Sequence, residues 1–550
     1  MTAGVEPSTA PDVGSANAPA SASDEEPAAD GQSRAGQRAR DLGPALFAVG
    51  LFAVAFALRF LAARMLAGEP VWDGHYYDFG ARRIAEGHGY SDDRIVAGQT
   101  EWHPWCHYPV GYSAYLAFFY WLLGTQGWVL HLANGLTGAL VSVVVYLLGR
   151  EGIGERRARI AGALTALHPG LVLYGALVMG ELLSALTVMT AFWVAVRGSR
   201  TTAGGRFFRL RGVVAGAVVL GVGALVRPQA LLCAPFLALA LPLSSEGTGA
   251  SALVARWVPR SKAALVACVV ALVPVMPWTA RNCRVMDGCA LISTNAGWNL
   301  AIGSFPRATG RFETLRSSDG CREVTGQVQQ DRCWLEYGLA NIKETPGRWL
   351  GLVPAKLSNT FDHESFAIEY LREARPPAWP EARRVAWRSA LTSVHRMLVV
   401  ASPLAFVALA LPERRRRRTG EAEEDPRARR RAWMVQGVLF ALAALATHLA
   451  VSADTPTFWP IVLGACLLPW LPLPGRPAAT PALLLPVVLI ATTAFTHAVF
   501  FGDDRYHMVV TPALCLLAAA MFRPPARTPR PSNAHGADTG GVRAAGTSSS

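Results

Sequence analysis

Asp73 is the residue whose surroundings most suggest chemistry. It lies in Val71–Tyr112, VWDGHYYDFGARRIAEGHGYSDDRIVAGQTEWHPWCHYPVGY, a stretch dense in acids, aromatics and histidines between long apolar segments. From Gly74 onward the spacing of Tyr77, Ala81 and Ile84 predicts a short amphipathic helix with Asp73 at its start. Two readings of that carboxylate stand side by side. It is an N-cap, a position where Asp is among the preferred residues, or a base held at a membrane surface to take a proton from an acceptor hydroxyl. Tyr77 and Asp78 are neighbouring candidates for substrate contact, although Arg82 at i+4 makes an ordinary surface pair the simpler account of Asp78. Glu86, His88, Asp92 and Asp93 read as solvated loop residues. His103 and His107 are candidates for contact with a phosphate or a sugar. Their H-x3-H spacing in a Trp/Pro-rich loop is a weak metal signature, and no metal site is expected from it.

Two arginines are informative because they break a charge rule. Arg227 and Arg505 fall at short turns on the outer side of the expected topology, where positive charge is unusual. Arg505 belongs to GDDRYH, beside Asp503, Asp504 and Tyr506, and an Arg–Asp pair that merely pins the turn is the competing account. A guanidinium fork suits a phosphate, to which it donates parallel charge-assisted bonds. Arg281, just after PWTA, is expected at the same level.

The elements that must carry these residues are apolar. Of 550 residues 51% are hydrophobic and only 17% charged, and the mean hydropathy is +0.26. The apolar residues gather in runs of roughly 17–23, a length that crosses a bilayer as a helix. The expected fold is therefore an all-α polytopic membrane protein, because backbone polar groups in lipid must be satisfied within each segment. A net charge of +13 would ordinarily raise nucleic acid as a partner. Here much of the excess lies in short Arg-rich connections of the kind that hold a loop in the cytoplasm, and the expected partner is the lipid bilayer.

Counting the runs predicts roughly twelve spans with both termini cytoplasmic. Residues 1–43 and 524–550 read as disordered tails, and 44–523 as one transmembrane domain with outer loops at about 67–127 and 281–392. Arg59 and Arg64 are expected to snorkel to the outer interface, and ERRRRRTGEAEEDPRARRR to face anionic lipid. Cys106, Cys283, Cys289, Cys321 and Cys333 all fall in the two outer loops. An oxidising exterior permits Cys283–Cys289 and Cys321–Cys333 bridges with Cys106 left over, although spacing alone does not fix the pairing.

One carboxylate facing several guanidiniums across a headgroup region suggests a reaction. A sugar carried on a lipid phosphate already has a good leaving group, so its departure needs cationic stabilisation more than a general acid. The attacking hydroxyl needs deprotonation, which one carboxylate supplies, and attack opposite the phosphate inverts the anomeric centre. The paired carboxylates of hydrolases are not required.

Several stretches then add a resemblance. WDGHYYDFGARRIAEGHGY, HYPVGYSAYLAFFYWLLG, HPGLVLYGALVMGELLSAL, GVGALVRPQ, PWTARNCRVMDGCALISTNAGWNLAIGS and GDDRYHMVVTPAL, in that order, resemble the GT-C membrane glycosyltransferases, especially the family of protein O-mannosyltransferases and aminoarabinose transferases. The resemblance covers about residues 44–523. It implies a polyprenyl-phosphate sugar as donor and a glycan, lipid or protein acceptor on the outer face of the cytoplasmic membrane. No cofactor is expected beside that donor substrate, with a divalent metal left open. The resemblance also implies that Asp73 is the catalytic aspartate of the first loop. Relatives often carry Asp-Glu there, whereas Gly74 follows Asp73 in this chain. Glu181 matches an acid common in relatives, although a helix N-terminus explains it equally well. Trp298 and Asn299 are candidates to line the sugar site, and Arg227, Arg281, Arg505 and Tyr506 to hold the donor phosphate. The rival classes are a lipid or solute transporter, for which no internal repeat or midplane polar cluster is visible, and a non-catalytic lipid-binding scaffold.

Overall fold

The computed structural model describes residues 28–200, 206–242, 250–410, 426–452, 456–471 and 479–522. The chain divides into two units, Met1–Phe47 and Ala48–Ser550, and everything discussed below as a site lies in the second. The chain is helical with one small exception. Helix α1 (Ala28–Leu66) leads to α2 (Asp73–Ala85), the antiparallel pair β1 (Ser91–Val96) and β2 (Gln99–Pro104), α3 (Val110–Leu123), α4 (Gly127–Gly152), α5 (Glu155–Leu167), α6 (Pro169–Leu173), α7 (Glu181–Ser199) and α8 (Arg206–Ala224). A 3-10 segment, Pro228–Ala240, precedes α9 (Ala250–Leu272) and α10 (Met276–Val285). The stretch expected as a second outer loop folds into α11 (Ala296–Ile302), α12 (Gln327–Glu344), α13 (Pro346–Gly351), α14 (Val353–Phe361) and α15 (Phe366–Ala374). Then come α16 (Glu381–Ala410), α17 (Pro426–Ser452), α18 (Trp459–Leu467), α19 (Pro481–Val499), a 3-10 turn at Asp504–Val509, and α20 (Thr511–Ala520).

Among the described residues five helices are long and apolar enough to cross a membrane, or six if α9 and α10, bent by 45° at their junction, form one span. Shorter apolar helices such as α3, α18 and α20 accompany them. The sequence expects a continuous run at 160–177, but the helix breaks ahead of Pro169 into α5 and α6. The residue before a proline is pushed out of the helical region, and His168 has ψ 118°. The segment after Arg227 also departs from an ordinary span. Pro228 opens it, Pro235 interrupts it, and all 13 residues take the 3-10 form. At about 2.0 Å rise per residue that conformation stretches further than an α-helix of equal length.

Several expectations are corrected. Helix α1 begins at Ala28, inside the stretch expected as a tail to residue 43. Residues 1–27 and 523–550, and 411–425 of the basic loop, lie outside the described residues. Helix α16 starts at Glu381, ahead of the expected loop end at 392. Arg59 does not reach an interface: it is buried and donates to the carbonyls of Ala55, Thr165 and Ala166 at 2.9–3.1 Å. A desolvated guanidinium is tolerable there because three carbonyls replace its water. The β1–β2 hairpin was not expected. Its turn places Ala97 (φ 51°) and Gly98 (φ 80°) both in the left-handed region, as a tight two-residue hairpin requires. Both bridges, Cys283–Cys289 and Cys321–Cys333, are formed, and Cys106 is free and buried.

Candidate active site

The start of α2 is built to hold one carboxylate still. Trp72, at the N-cap, has φ 51°, a conformation uncommon for a large side chain. Its ring packs on Phe366 and edge-on to Tyr370, with centroids at 5.6 and 5.8 Å. Gly74 lets the helix close on its neighbours. A Cβ there would run into the Tyr370 hydroxyl and come within 2.9 Å of the Val178 carbonyl. Asp73, the first helical residue between them, does not spend its carboxylate on capping. One oxygen accepts from the Tyr108 hydroxyl at 2.7 Å and the other from Arg505 at 2.5 Å.

Arg505 is placed by its own turn. Its backbone N–H donates to Asp503 at 3.0 Å, its second amino group donates to the Tyr506 hydroxyl at 3.0 Å, and its guanidinium lies 4.8 Å from the centre of the Tyr506 ring. Arg227 stands 5.5 Å from the same ring centroid and is ion-paired to Glu181. Glu181, the first residue of α7, is fully buried. His497 stacks on Tyr506 at 4.0 Å, and its Nδ1–H donates to the Phe501 carbonyl at 2.9 Å. The Nε atoms of both Arg227 and Arg505 are buried without a hydrogen-bond partner among the described residues. The first loop is tied to the Arg227 turn where the Gly111 N–H donates to the Leu225 carbonyl at 2.7 Å, an approach that a Cβ on Gly111 would block.

Asp73, Tyr108, Arg227, His497, Arg505 and Tyr506 line one cavity of about 500 Å³, within the usual size range for small-molecule sites, whereas Glu181, a candidate for substrate contact, is buried behind Arg227 and does not line it. Asp73, Tyr77, His107, Arg227, Trp298, Asn299, Arg505 and Tyr506 all reach it. Another cavity of about 510 Å³, between α16, α17 and α18, is lined almost wholly by apolar residues and offers no ionisable group.

The electrostatics of Asp73 are a contest. Burial favours its neutral form, but Arg505, the Tyr108 hydroxyl and Arg227 outweigh that, and the carboxyl is held below its usual range. Asp503 goes the other way. Burial and the neighbouring Asp504 exceed the pull of Arg505 and raise it to about 6. His107 is lowered by burial, so the imidazole at the cavity wall is neutral near pH 7.

The remaining sequence candidates are elsewhere. Arg281, expected beside the phosphate, does not reach the cavity: its guanidinium donates to the carbonyls of Tyr90 at 2.7 Å and Trp105 at 3.1 Å and pins the first loop. Asp78 turns away to Arg82 at 2.8 Å and to the Tyr120 hydroxyl. His103 sits on β2, 3.7 Å from Glu101, while His107 faces the cavity, so the H-x3-H pair does not converge there. Sequence reasoning gave no role to Tyr108, His497 or Tyr370. Tyr108 lies within HYPVGY, where a tyrosine ahead of a helix-opening proline was the available signal. For Tyr370 there was none.

Residues 107–280 match the family model described as dolichyl-phosphate-mannose-protein mannosyltransferase. The chain thus resembles the GT-C membrane glycosyltransferases, as its motifs do, and the matched span contains His107, Tyr108, Glu181 and Arg227. Among solved structures it is similar to the oligosaccharyltransferase of Archaeoglobus fulgidus tethered to an acceptor peptide, at 13% identity and a TM-score of 0.40 over 86% of this chain and 49% of that one. It is also similar to ArnT from Cupriavidus metallidurans bound to undecaprenyl phosphate, at 16% identity and a TM-score of 0.33 over 86% of this chain and 77% of that one. The chain spans about half the length of the archaeal enzyme. No curated protein matches its sequence.

Proposed function

We propose that this chain is an inverting membrane glycosyltransferase that moves a sugar from a polyprenyl-phosphate donor to an acceptor on the extracytoplasmic face. The observation that carries this reading is the meeting of Asp73, Arg227 and Arg505 around one cavity, with an unused Nε–H on each guanidinium. Two such donors, both beside the Tyr506 ring, suit the oxygens of a lipid phosphate, and the name of the matched family points to the same donor class. Tyr77, His107, Trp298 and Asn299 form the wall available to a sugar. The two outer loops, roughly twelve spans and cytoplasmic termini in the cytoplasmic membrane belong to the same proposal.

The base must also be competent. A carboxylate bound to Arg505 is a weak proton acceptor, because the ion pair favours its charged form. A donor phosphate that takes over the Arg505 guanidinium releases Asp73 and raises its basicity. Substrate binding then prepares the base, while Tyr108 keeps the freed carboxylate aimed. The departing phosphate keeps both arginines as counter-charges, where developing negative charge is largest.

The test is sugar transfer from a polyprenyl-phosphate donor by membranes carrying Asp73→Asn or Asp73→Ala after insertion has been verified. Loss of a general base predicts a fall of about 10²–10⁴-fold. Wild-type rates in both variants overturn the assignment, and movement of intact lipid or solute with no glycosidic product favours a transporter.

A further inference from the structure

Two residues beyond Arg505 a second set of ionisable side chains begins that sugar transfer does not use. His507 lies on the Asp504–Val509 turn, His395 in α16, and Glu364 between α14 and α15. All three are buried, and one ligand-capable atom from each lies within 4.8 Å of the others. His507 Nε2 stands 3.6 Å from a Glu364 oxygen, and the two imidazoles stack with centroids at 3.9 Å.

The hydrogen bonds fix which atoms face inward. His507 Nδ1 is 2.7 Å from the Thr360 carbonyl, and His395 Nε2 is 2.8 Å from the Phe361 carbonyl. A carbonyl only accepts, so both of those nitrogens carry the proton. In a neutral imidazole the opposite nitrogen then presents a lone pair. Those two nitrogens, His507 Nε2 and His395 Nδ1, have no partner among the described residues, and neither has either oxygen of Glu364. With both imidazoles neutral, four buried acceptors lie together and none has a hydrogen-bond partner among the described residues, an arrangement that native interiors avoid; a proton on His507 Nε2, 3.6 Å from Glu364, is the competing way to satisfy them. Gly170 keeps the space clear, since a Cβ there would collide with the Glu364 carboxylate.

We infer that Glu364, His395 and His507 bind a divalent transition-metal ion. Two imidazoles and one carboxylate suit zinc, with one coordination position left for water, whereas magnesium and calcium prefer all-oxygen shells. Each histidine is already anchored through its other nitrogen to a backbone carbonyl, the support that orients metal-bound imidazoles. His168 is excluded as a ligand in its neutral form: its Nδ1 accepts from the Leu171 N–H at 3.3 Å, which leaves Nε2 protonated.

None of the three ligands lines the transfer cavity, so the ion positions that site and takes no part in its chemistry. It clamps the α14–α15 junction and α16 to the turn that carries Arg505 and Tyr506. The next two residues after Glu364 reinforce that clamp, because the N–H groups of Ser365 and Phe366 both donate to Asp504. Phe366 in turn lies 5.4 Å beneath the Arg505 guanidinium.

The experiment uses the full chain in detergent, stripped with chelator and dialysed against cobalt(II) as a spectroscopic stand-in for zinc. The expected result is about one ion per chain, with the visible absorption of a low-coordinate site and displacement by zinc. His395→Ala and Glu364→Gln should lose that absorption, and His103→Ala should keep it. Wild-type protein without the absorption, or both variants retaining it, overturns the site. If the variants fail to fold, X-ray absorption on the wild type decides: a shell with two imidazoles upholds the site, and a thiolate or all-oxygen shell overturns it.

Discussion

The Asp73 carboxylate and the Arg505 guanidinium meet at 2.5 Å, and Arg505 turns its other amino group to the Tyr506 hydroxyl at 3.0 Å. One side chain thus serves the proposed base and the proposed phosphate site together, through a planar fork. Lysine keeps the charge but has no fork. Arg505→Lys is expected to lower kcat/KM at least about tenfold, with the loss shared between kcat and donor KM, because the residue acts on both partners. Steady-state transfer kinetics in reconstituted membranes check this, and unchanged constants would sever the link.

Gly74 stands where the family resemblance implies a second acid. A Cβ at that position meets the Tyr370 hydroxyl and the Val178 carbonyl. Gly74→Ala is therefore expected to destabilise by about 1–3 kcal/mol, as overpacking does. Gly74→Glu should be worse and should not raise activity. Tyr370→Phe removes the nearest obstacle, so the double variant Gly74→Ala/Tyr370→Phe should melt higher than the sum of the single losses implies. Thermal unfolding in detergent reads both.

Arg281 separates folding from catalysis. It supplies donors to the carbonyls of Tyr90 and Trp105 and does not touch the cavity. Arg281→Ala should cost stability by about 1–3 kcal/mol through stranded acceptors. Donor KM should stay within about twofold of wild type, in contrast to Arg505→Lys. A large rise in donor KM without a stability change would contradict the placement.

Asp503, held up to about 6, makes stability depend on pH with a definite sign. The unfolded carboxyl ionises near about 3.9. Folded protein keeps its proton longer, so Asp503 weakens folding as pH rises from about 4 through 6, with no further change above. Asp73 works oppositely, since its depressed pKa adds stability that is lost as pH falls through the folded value. Asp503→Asn keeps an acceptor for the Arg505 N–H and should flatten the decline between about pH 4 and 6. Melting temperatures across that range test it.

What the sequence made legible was whatever broke a rule. Arg227 and Arg505 stood out as cations at outer turns, and Asp73 as an acid opening an aromatic helix. The structure brings all three to one cavity. Arg281 shows the limit, because the expected topology gave it a level along the membrane normal and no direction. That direction is set by where the carbonyls of Tyr90 and Trp105 lie, a property of distant loops. The hairpin escaped notice because its turn uses Ala97 in a left-handed conformation where Asn or Gly would have signalled it. Tyr370 reaches the site through contacts about 300 residues away in sequence, at Val71, Trp72 and Gly74, and no local pattern encodes such a meeting.

The ion pair that centres the site joins positions 432 apart. During synthesis Asp73 is made early and has no Arg505 to pair with until the turn before α20 has been made. On the proposed function, a chain that stalls anywhere in between should be inert towards donor lipid.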